Sequence, residues 1–398
     1  MFYPKKGRIA PRKFNSKGYL PAGRQGYANR GVHINVSKFV NKAVISEEAE
    51  RFVPEHSFID FNLQGILKKN IQEKGYVTPT PIQDRAIPYI SQGKDIVGIA
   101  NTGTGKTAAF LIPLINKIIL DSREKVLIVV PTRELASQID EELRAFAKNS
   151  NLFSVLCIGG VGMSKQIREL RYRCHFVIGT PGRLKDLMEQ KVLNLSDFKT
   201  VVLDEADRML DMGFIRDIRL MISKMPKERH TLFFSATLSL EIEKLIHEFL
   251  REPVRISVKT QDTPKNVHQD VVRIPAGKMK LDVLGEFLLQ AEFSKVLVFG
   301  RTKHGVEKLA RELEKRGFKA ESIHGNKSQR ERQRALDLFK RGHARVLIAT
   351  DVAARGLDIA SVTHVINFDL PATYDDYVHR IGRTGRAGQL GKALTFIE

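Results

Sequence analysis

The sequence predicts an α/β protein of two tandem domains, each a parallel β-sheet with helices on both faces, preceded by a basic arm. Three observations predict it. From Phe58 onward, short apolar runs alternate with longer amphipathic stretches, as in a parallel sheet whose strands are buried on both faces. The rhythm breaks between residues 252 and 278, where Pro253, Pro264 and Pro275 surround a polar stretch, and then resumes. Finally, 398 residues exceed what one hydrophobic core usually serves.

Taken in order, residues 1–54 read as a disordered arm. They have no sustained period of 2 or 3.6, and residues 1–44 carry ten Lys and Arg with no Asp or Glu. Residues 55–258 read as the first domain. It opens on a helix with Leu63, Ile66, Leu67 and Ile71 on one face, closed by Gly75. Its predicted strands are Ile96–Ala100, Val126–Val130, Val155–Ile158, Phe176–Gly179, Val201–Leu203 and Leu232–Phe234. Residues 259–266 are the linker. Residues 267–398 form the second domain, with strands Val296–Phe299, Ala320–Ile323, Val346–Ala349, His364–Phe368 and Ala393–Ile397.

The net charge is +20, half of it in residues 1–44. Such a balance points to nucleic acid or another polyanion, with a merely solubilising surplus as the bland alternative. No apolar run approaches a membrane span, and the basic N-terminus lacks the apolar segment of a secretory signal. Cys157 and Cys174 sit among apolar residues without zinc spacing, which predicts reduced, packed thiols in a cytoplasmic protein.

Two motifs carry the chemistry. Residues 100–107, Ala-Asn-Thr-Gly-Thr-Gly-Lys-Thr, follow a strand and precede the apolar helix Ala108–Ile119. This is a phosphate-cradling P-loop: Thr102, Gly103, Thr104 and Gly105 bring backbone N–H groups to the phosphates, Lys106 bridges them, and Thr107 ligates Mg²⁺. Residues 204–207, Asp-Glu-Ala-Asp, end the apolar run Val201–Leu203. Read alone they could cap a helix; paired with the P-loop, Asp204 holds Mg²⁺, partly through water, and Glu205 polarises the attacking water. In the domain without a P-loop, Arg383 and Arg386 lie three apart, suited to stabilising charge on a γ-phosphate; a solvated basic turn is the alternative.

With these motifs in hand, the chain from Phe58 onward resembles the DEAD-box ATP-dependent RNA helicases of superfamily 2, with a general look of bacterial members, including the RhlE-like group. Gly75-Tyr76 with Pro79-Thr80-Pro81-Ile82-Gln83 resembles the adenine-reading Q motif, and Phe58 its upstream aromatic. The resemblance implies two RecA-like domains, an ATP and Mg²⁺ requirement, and RNA as partner, single-stranded or in a short duplex. It implies RNA-backbone contacts by Pro131, Thr132, Arg133, Gly160, Thr180, Pro181 and Arg183 in the first domain, and by Thr302, Gly325, Gln329, Arg332, Thr350 and Asp351 in the second. It assigns coupling of hydrolysis to remodelling to Asp207, Ser235, Thr237 and His379, and nucleotide contacts to Gly356 and Asp358. Local duplex unwinding by a monomer is the implied activity; an ATP-dependent RNA clamp with little unwinding and a DNA-directed superfamily 2 helicase are the alternatives. The sequence names neither the RNA nor any protein partner.

Overall fold

The computed structural model describes residues 39–40, 52–101, 103–172, 174–258, 266–354, 359, 361–385 and 390–397. Most of the arm, residues 259–265 of the linker, and Thr102, Gly356, Asp358 and Arg386 lie outside the described residues.

Two parallel sheets are present. The first contains β1 (Ile96–Ile99), β2 (Val126–Val129), β3 (Ser154–Cys157), β4 (Phe176–Gly179), β5 (Thr200–Leu203), β6 (His230–Ser235) and β7 (Val254–Ser257), in the order β3-β4-β2-β5-β6-β1-β7. Its helices are α1 (Gly65–Glu73), α2 (Pro81–Ser91), α3 (Lys106–Leu120), α4 (Arg133–Phe146), α5 (Met163–Arg171), α6 (Pro181–Glu189), α7 (Ala206–Asp211), α8 (Ile215–Lys224) and α9 (Leu240–Phe249). They form one apolar core around α3 and another around α6 to α9. That placement explains the composition of α3, which is apolar nearly all round because α2, α4 and the sheet enclose it.

The second sheet has β8 (Val267–Arg273), β9 (Val296–Phe299), β10 (Ala320–Ile323), β11 (Val346–Ala349), β12 (His364–Asn367) and β13 (Gly391–Ile397), ordered β10-β11-β9-β12-β13-β8. Its helices are α10 (Lys280–Leu288), α11 (Lys303–Lys315), α12 (Gln329–Lys340), α13 (Asp351–Ala354) and α14 (Tyr374–Ile381). Among the described residues, no helix is long and apolar enough to cross a membrane.

Strands β7 and β8 depart from expectation, because both fall in the proline-broken stretch 252–278. β8 alternates, with Val267 and Gln269 buried and His268 and Asp270 exposed. The buried polar Gln269 hides that period, and its amide oxygen accepts a hydrogen bond from the Tyr377 hydroxyl at 2.9 Å. Phe39 is a second departure. Expected in a disordered arm, it is 1% exposed and packs on the Tyr377 ring with centroids 4.7 Å apart, beside Val267, Ile381 and Ala393.

Both cysteines are buried free thiols, and burial pushes Cys157 up to about 12.

Candidate nucleotide site and nucleic-acid groove

Strand order distributes the candidate residues. In a parallel sheet, ligand loops gather at the carboxyl ends of the strands. Neighbours β5, β6 and β1 end in Asp204, Ser235 and the P-loop, so these three motifs share one edge. On the other half, β3, β4 and β2 lead into Gly159-Gly160, Thr180–Arg183 and Pro131–Arg133. The second sheet repeats the division: β10, β11 and β9 lead into Gly325, Thr350 and Thr302, and β12 leads to α14 with His379.

The P-loop turns on Gly103 and Gly105, with φ of 83° and 92°, a backbone only glycine adopts freely. Lys106 is buried and donates from Nζ to the Ala100 carbonyl at 2.8 Å. Gln83, expected to read adenine, carries two contacts to the protein. Its oxygen accepts from Thr80 N at 2.9 Å and its Nε2 donates to the Gly105 carbonyl at 3.1 Å, so it splints the P-loop to α2. Phe58 and Tyr76 stand edge to face at 5.8 Å, and the Tyr76 hydroxyl donates to Glu142 at 2.9 Å. A cleft of about 470 Å³ is lined by Tyr76, Gly103, Lys106, Thr107, Asp204, Glu205 and, from the second lobe, Lys340.

Asp204 is fully buried behind that cleft. Burial pushes its carboxyl up to about 6, against the pull of Lys106. Glu205 adopts a left-handed backbone, φ 52°, ψ 51°, which turns the chain into α7. Asp207 faces away from the cleft lining: its Oδ2 accepts from Ala236 N at 3.1 Å, Thr237 N at 2.9 Å and Thr237 Oγ1 at 3.1 Å. Ser235 Oγ donates to the Thr237 carbonyl at 2.8 Å. The Asp-Glu-Ala-Asp and Ser-Ala-Thr segments are thus joined by hydrogen bonds.

Several residues expected on the RNA path hold the protein together here. Arg332 of the second lobe reaches Glu134 of the first, Nη2 to Oε2 at 2.6 Å, with Glu134 2% exposed. Gln329 Nε2 lies 3.4 Å from Glu134 Oε1. Arg183 Nη1 donates to the Val161 carbonyl at 3.2 Å and to Gln166 Oε1 at 3.0 Å, pinning the loop after Gly160. Thr132 and Thr302 cap α4 and α11 through their hydroxyls. Asp351 has both carboxylate oxygens on Arg380, at 2.6 and 2.8 Å. The Arg133 guanidinium lies so close over Gly159 and Gly160 that a Cβ on Gly160 would clash with Nη1. Gly325 is open: a Cβ built there would meet no described atom within 4 Å beyond its chain neighbours, which suits approach by a ligand.

Sequence reasoning gave no role to Glu134 or Arg380. Arg380 also donates to Asn367 Oδ1 at 3.1 Å and the Asp369 carbonyl at 2.6 Å, and lies 5.1 Å over the Phe299 ring. Arg383 is buried beside it.

The fold and this site define a two-lobed P-loop nucleoside triphosphatase with a second set of ligand loops on adjoining strands. Family profiles agree: one described as DEAD/DEAH box helicase matches residues 80–245, and one described as helicase conserved C-terminal domain matches 279–388. The DEAD-box ATP-dependent RNA helicase CshA of Bacillus subtilis is 46% identical over 343 residues, covering 86% of this chain and 69% of that protein. The chain spans 64% to 70% of the length of such curated relatives. Among solved structures, S. cerevisiae Dbp5 bound to RNA and ADP BeF3 is 31% identical with a TM-score of 0.77, covering 86% of this chain and 89% of that one. A DEAD box protein from Methanococcus jannaschii is 39% identical with a TM-score of 0.52, covering 87% and 94%. The chain belongs to the DEAD-box ATP-dependent RNA helicases and has their two RecA-like domains.

Proposed function

We propose that this chain binds single-stranded RNA across both lobes and couples ATP hydrolysis to opening short duplexes, acting as a cytoplasmic monomer. The division into lobes at 55–258 and 267–398, joined by 259–266, belongs to the same reading. The observation that carries it is the paired division of the two sheets, which sets three nucleotide motifs on one half and the candidate RNA loops on the other. The buried contact between Arg332 and Glu134, which joins the lobes, supports reading this structure as a closed arrangement.

In the closed state the buried pair of Glu134 and Arg332 joins the lobes beside Arg133, Gly160 and Gly325. RNA held there by phosphate and 2′-OH contacts is recognised without reading sequence. Thr107 and Asp204 offer hard oxygen donors suited to Mg²⁺, which is usually bound by one or two carboxylates together with substrate phosphates. The burial that raises Asp204 is the environment a divalent cation relieves. Bound there, Mg²⁺ supplies charge neutralisation on the phosphates. Lys106 turns from Ala100 to the phosphates, Glu205 accepts the proton of the attacking water, and Arg383 with Arg386 stabilises the charge that develops. Asp207 transmits the change to Thr237.

The experiment is an ATPase titration with single-stranded RNA and DNA at several salt concentrations. RNA should stimulate turnover and DNA should not, with stimulation falling as salt rises. Equal stimulation by DNA, or a flat rate with RNA at low salt, refutes the proposal. Hydrolysis without strand separation identifies a clamp.

A further inference from the structure

Arg208 follows Asp207 in α7 and is 3% exposed. Its Nε lies 3.4 Å from Glu205 Oε2, an i,i+3 pair within a buried turn. Among the described residues, neither Nη1 nor Nη2 of Arg208 has a hydrogen-bond partner, and neither does Glu205 Oε2. A guanidinium is always charged, and a buried charge is retained only where other charges compensate it. Glu205 is one such group, and further carboxylates line the space across the lobe boundary. Arg208 opens into a small cavity, about 10 Å³, whose other walls come from the second lobe and include Asp351, Asp376, His379, Arg380 and Arg383. Two carboxylates therefore share this space with the first lobe's guanidinium, although Asp351 is already bidentate to Arg380.

We propose that Arg208 is a positioning residue that ties the Glu205 carboxylate to the second lobe, so that the water-polarising group is set only when the lobes meet. With the lobes apart, the Asp351 and Asp376 side is gone and the cation has Glu205 as its remaining buried counter-charge. Arg208 then holds that carboxylate as an ion pair and away from substrate water. With the lobes together, the second lobe shares the cation, and the Glu205 contact stays at the loose 3.4 Å of this structure. Glu205 is meanwhile fixed by its left-handed backbone at the start of α7. Hydrolysis is in this way conditional on closure through one side chain, alongside the contribution of the arginines that face the phosphate. The inference rests on reading Glu205 as the group that polarises the attacking water.

The test uses the full chain, with R208A, R208K, E205Q and the double variant E205Q/R208A, assayed with poly(U) RNA and saturating ATP. R208A should lose about tenfold or more in kcat, less than the roughly 10²-fold or more that general-base catalysis contributes, because the base is misplaced rather than removed, with KM for ATP within about threefold. R208K, which restores the charge but not the fork, should recover part of the loss. In the E205Q background, R208A should produce no further loss, because the residue acts through the group already removed. Wild-type kcat in R208A, or the same fractional loss in both backgrounds, overturns the inference; the second outcome is what a merely structural role gives. An E205Q variant that hydrolyses ATP at the wild-type rate overturns instead the underlying reading of Glu205.

Discussion

Removing one partner of the Glu134–Arg332 pair should open the lobes. The two groups are buried and 2.6 Å apart, yet the contact is poorly aligned: among the described residues, neither Glu134 Oε2 nor Arg332 Nε has a hydrogen-bond partner. Burial lowers the Arg332 pKa in spite of Glu134, so desolvation weighs heavily here. Breaking a buried pair from one side costs roughly 3–5 kcal/mol because the remaining charge is left uncompensated. That penalty falls on the closed state alone, since in open lobes each charge meets water. Taking the low end, R332L or E134L should shift the closed–open balance by about 3 kcal/mol, on the order of 100-fold. Replacing both with leucine removes both desolvation costs and should return most of the loss. The assay is RNA Kd in the presence of a non-hydrolysable ATP analogue, with a fluorophore pair across the lobes reporting closure. A double variant as weak as R332L alone would refute the reasoning, and would mean that Arg332 acts on RNA as the sequence suggests.

Three further outcomes follow from the same geometry. D207N replaces a carboxylate that accepts three hydrogen bonds from the Ala236–Thr237 loop; unwinding per ATP should fall at least about threefold while ATP turnover changes less, and a proportional fall in both would refute coupling through this residue. Glu307 is held down at about 2, first by the Ser322 hydroxyl and then by His324, Lys327 and Arg311. Its contribution is therefore present above the ordinary 4.5 and lost as pH falls through about 2; after discounting for partial exposure, E307Q should cost about 1–2 kcal/mol at pH 7, and a thermal melt should find that difference vanishing in strong acid. F39A empties a buried ring site against Tyr377 and should lower the unfolding midpoint, with a loss of about 3 kcal/mol; an unchanged melt would show that the Phe39 contact carries no stability.

What the sequence made legible follows from which forces are local. Strands such as Val126–Val129 and Val346–Ala349 are buried on both faces, so they must be continuously apolar, and a continuous apolar run is visible without a partner. β7 follows Pro253 and buries only Ile256, and β8 buries a polar Gln269, so neither shows a continuous apolar run. The P-loop and Asp204 were legible because their spacing along the chain is itself the chemical requirement. Phe39 was hidden because its partner, Tyr377, lies at the other end of the sequence in polar surroundings. For Arg332, Arg183 and Asp351 the sequence names the residues but not the partners they meet within the protein, Glu134, Val161 and Arg380. Those partners are brought together only by folding.

The strand order gives the reason the two activities depend on each other. β2 and β5 are neighbours, so the boundary between the candidate RNA half and the candidate nucleotide half of the first sheet is a single strand spacing. Thr132 and Glu134 begin just past the end of β2, and Asp204 and Glu205 just past the end of β5. A second lobe that docks on this edge meets both sets at once, at Glu134 through Arg332 and at Arg208 through the cavity shared with Asp376 and Arg383. Neither contact can form fully without bringing the other near. If RNA binds on one half as proposed, its binding energy becomes available to assemble the proposed catalytic group on the other, and a ligand that binds the two arrangements equally would change nothing.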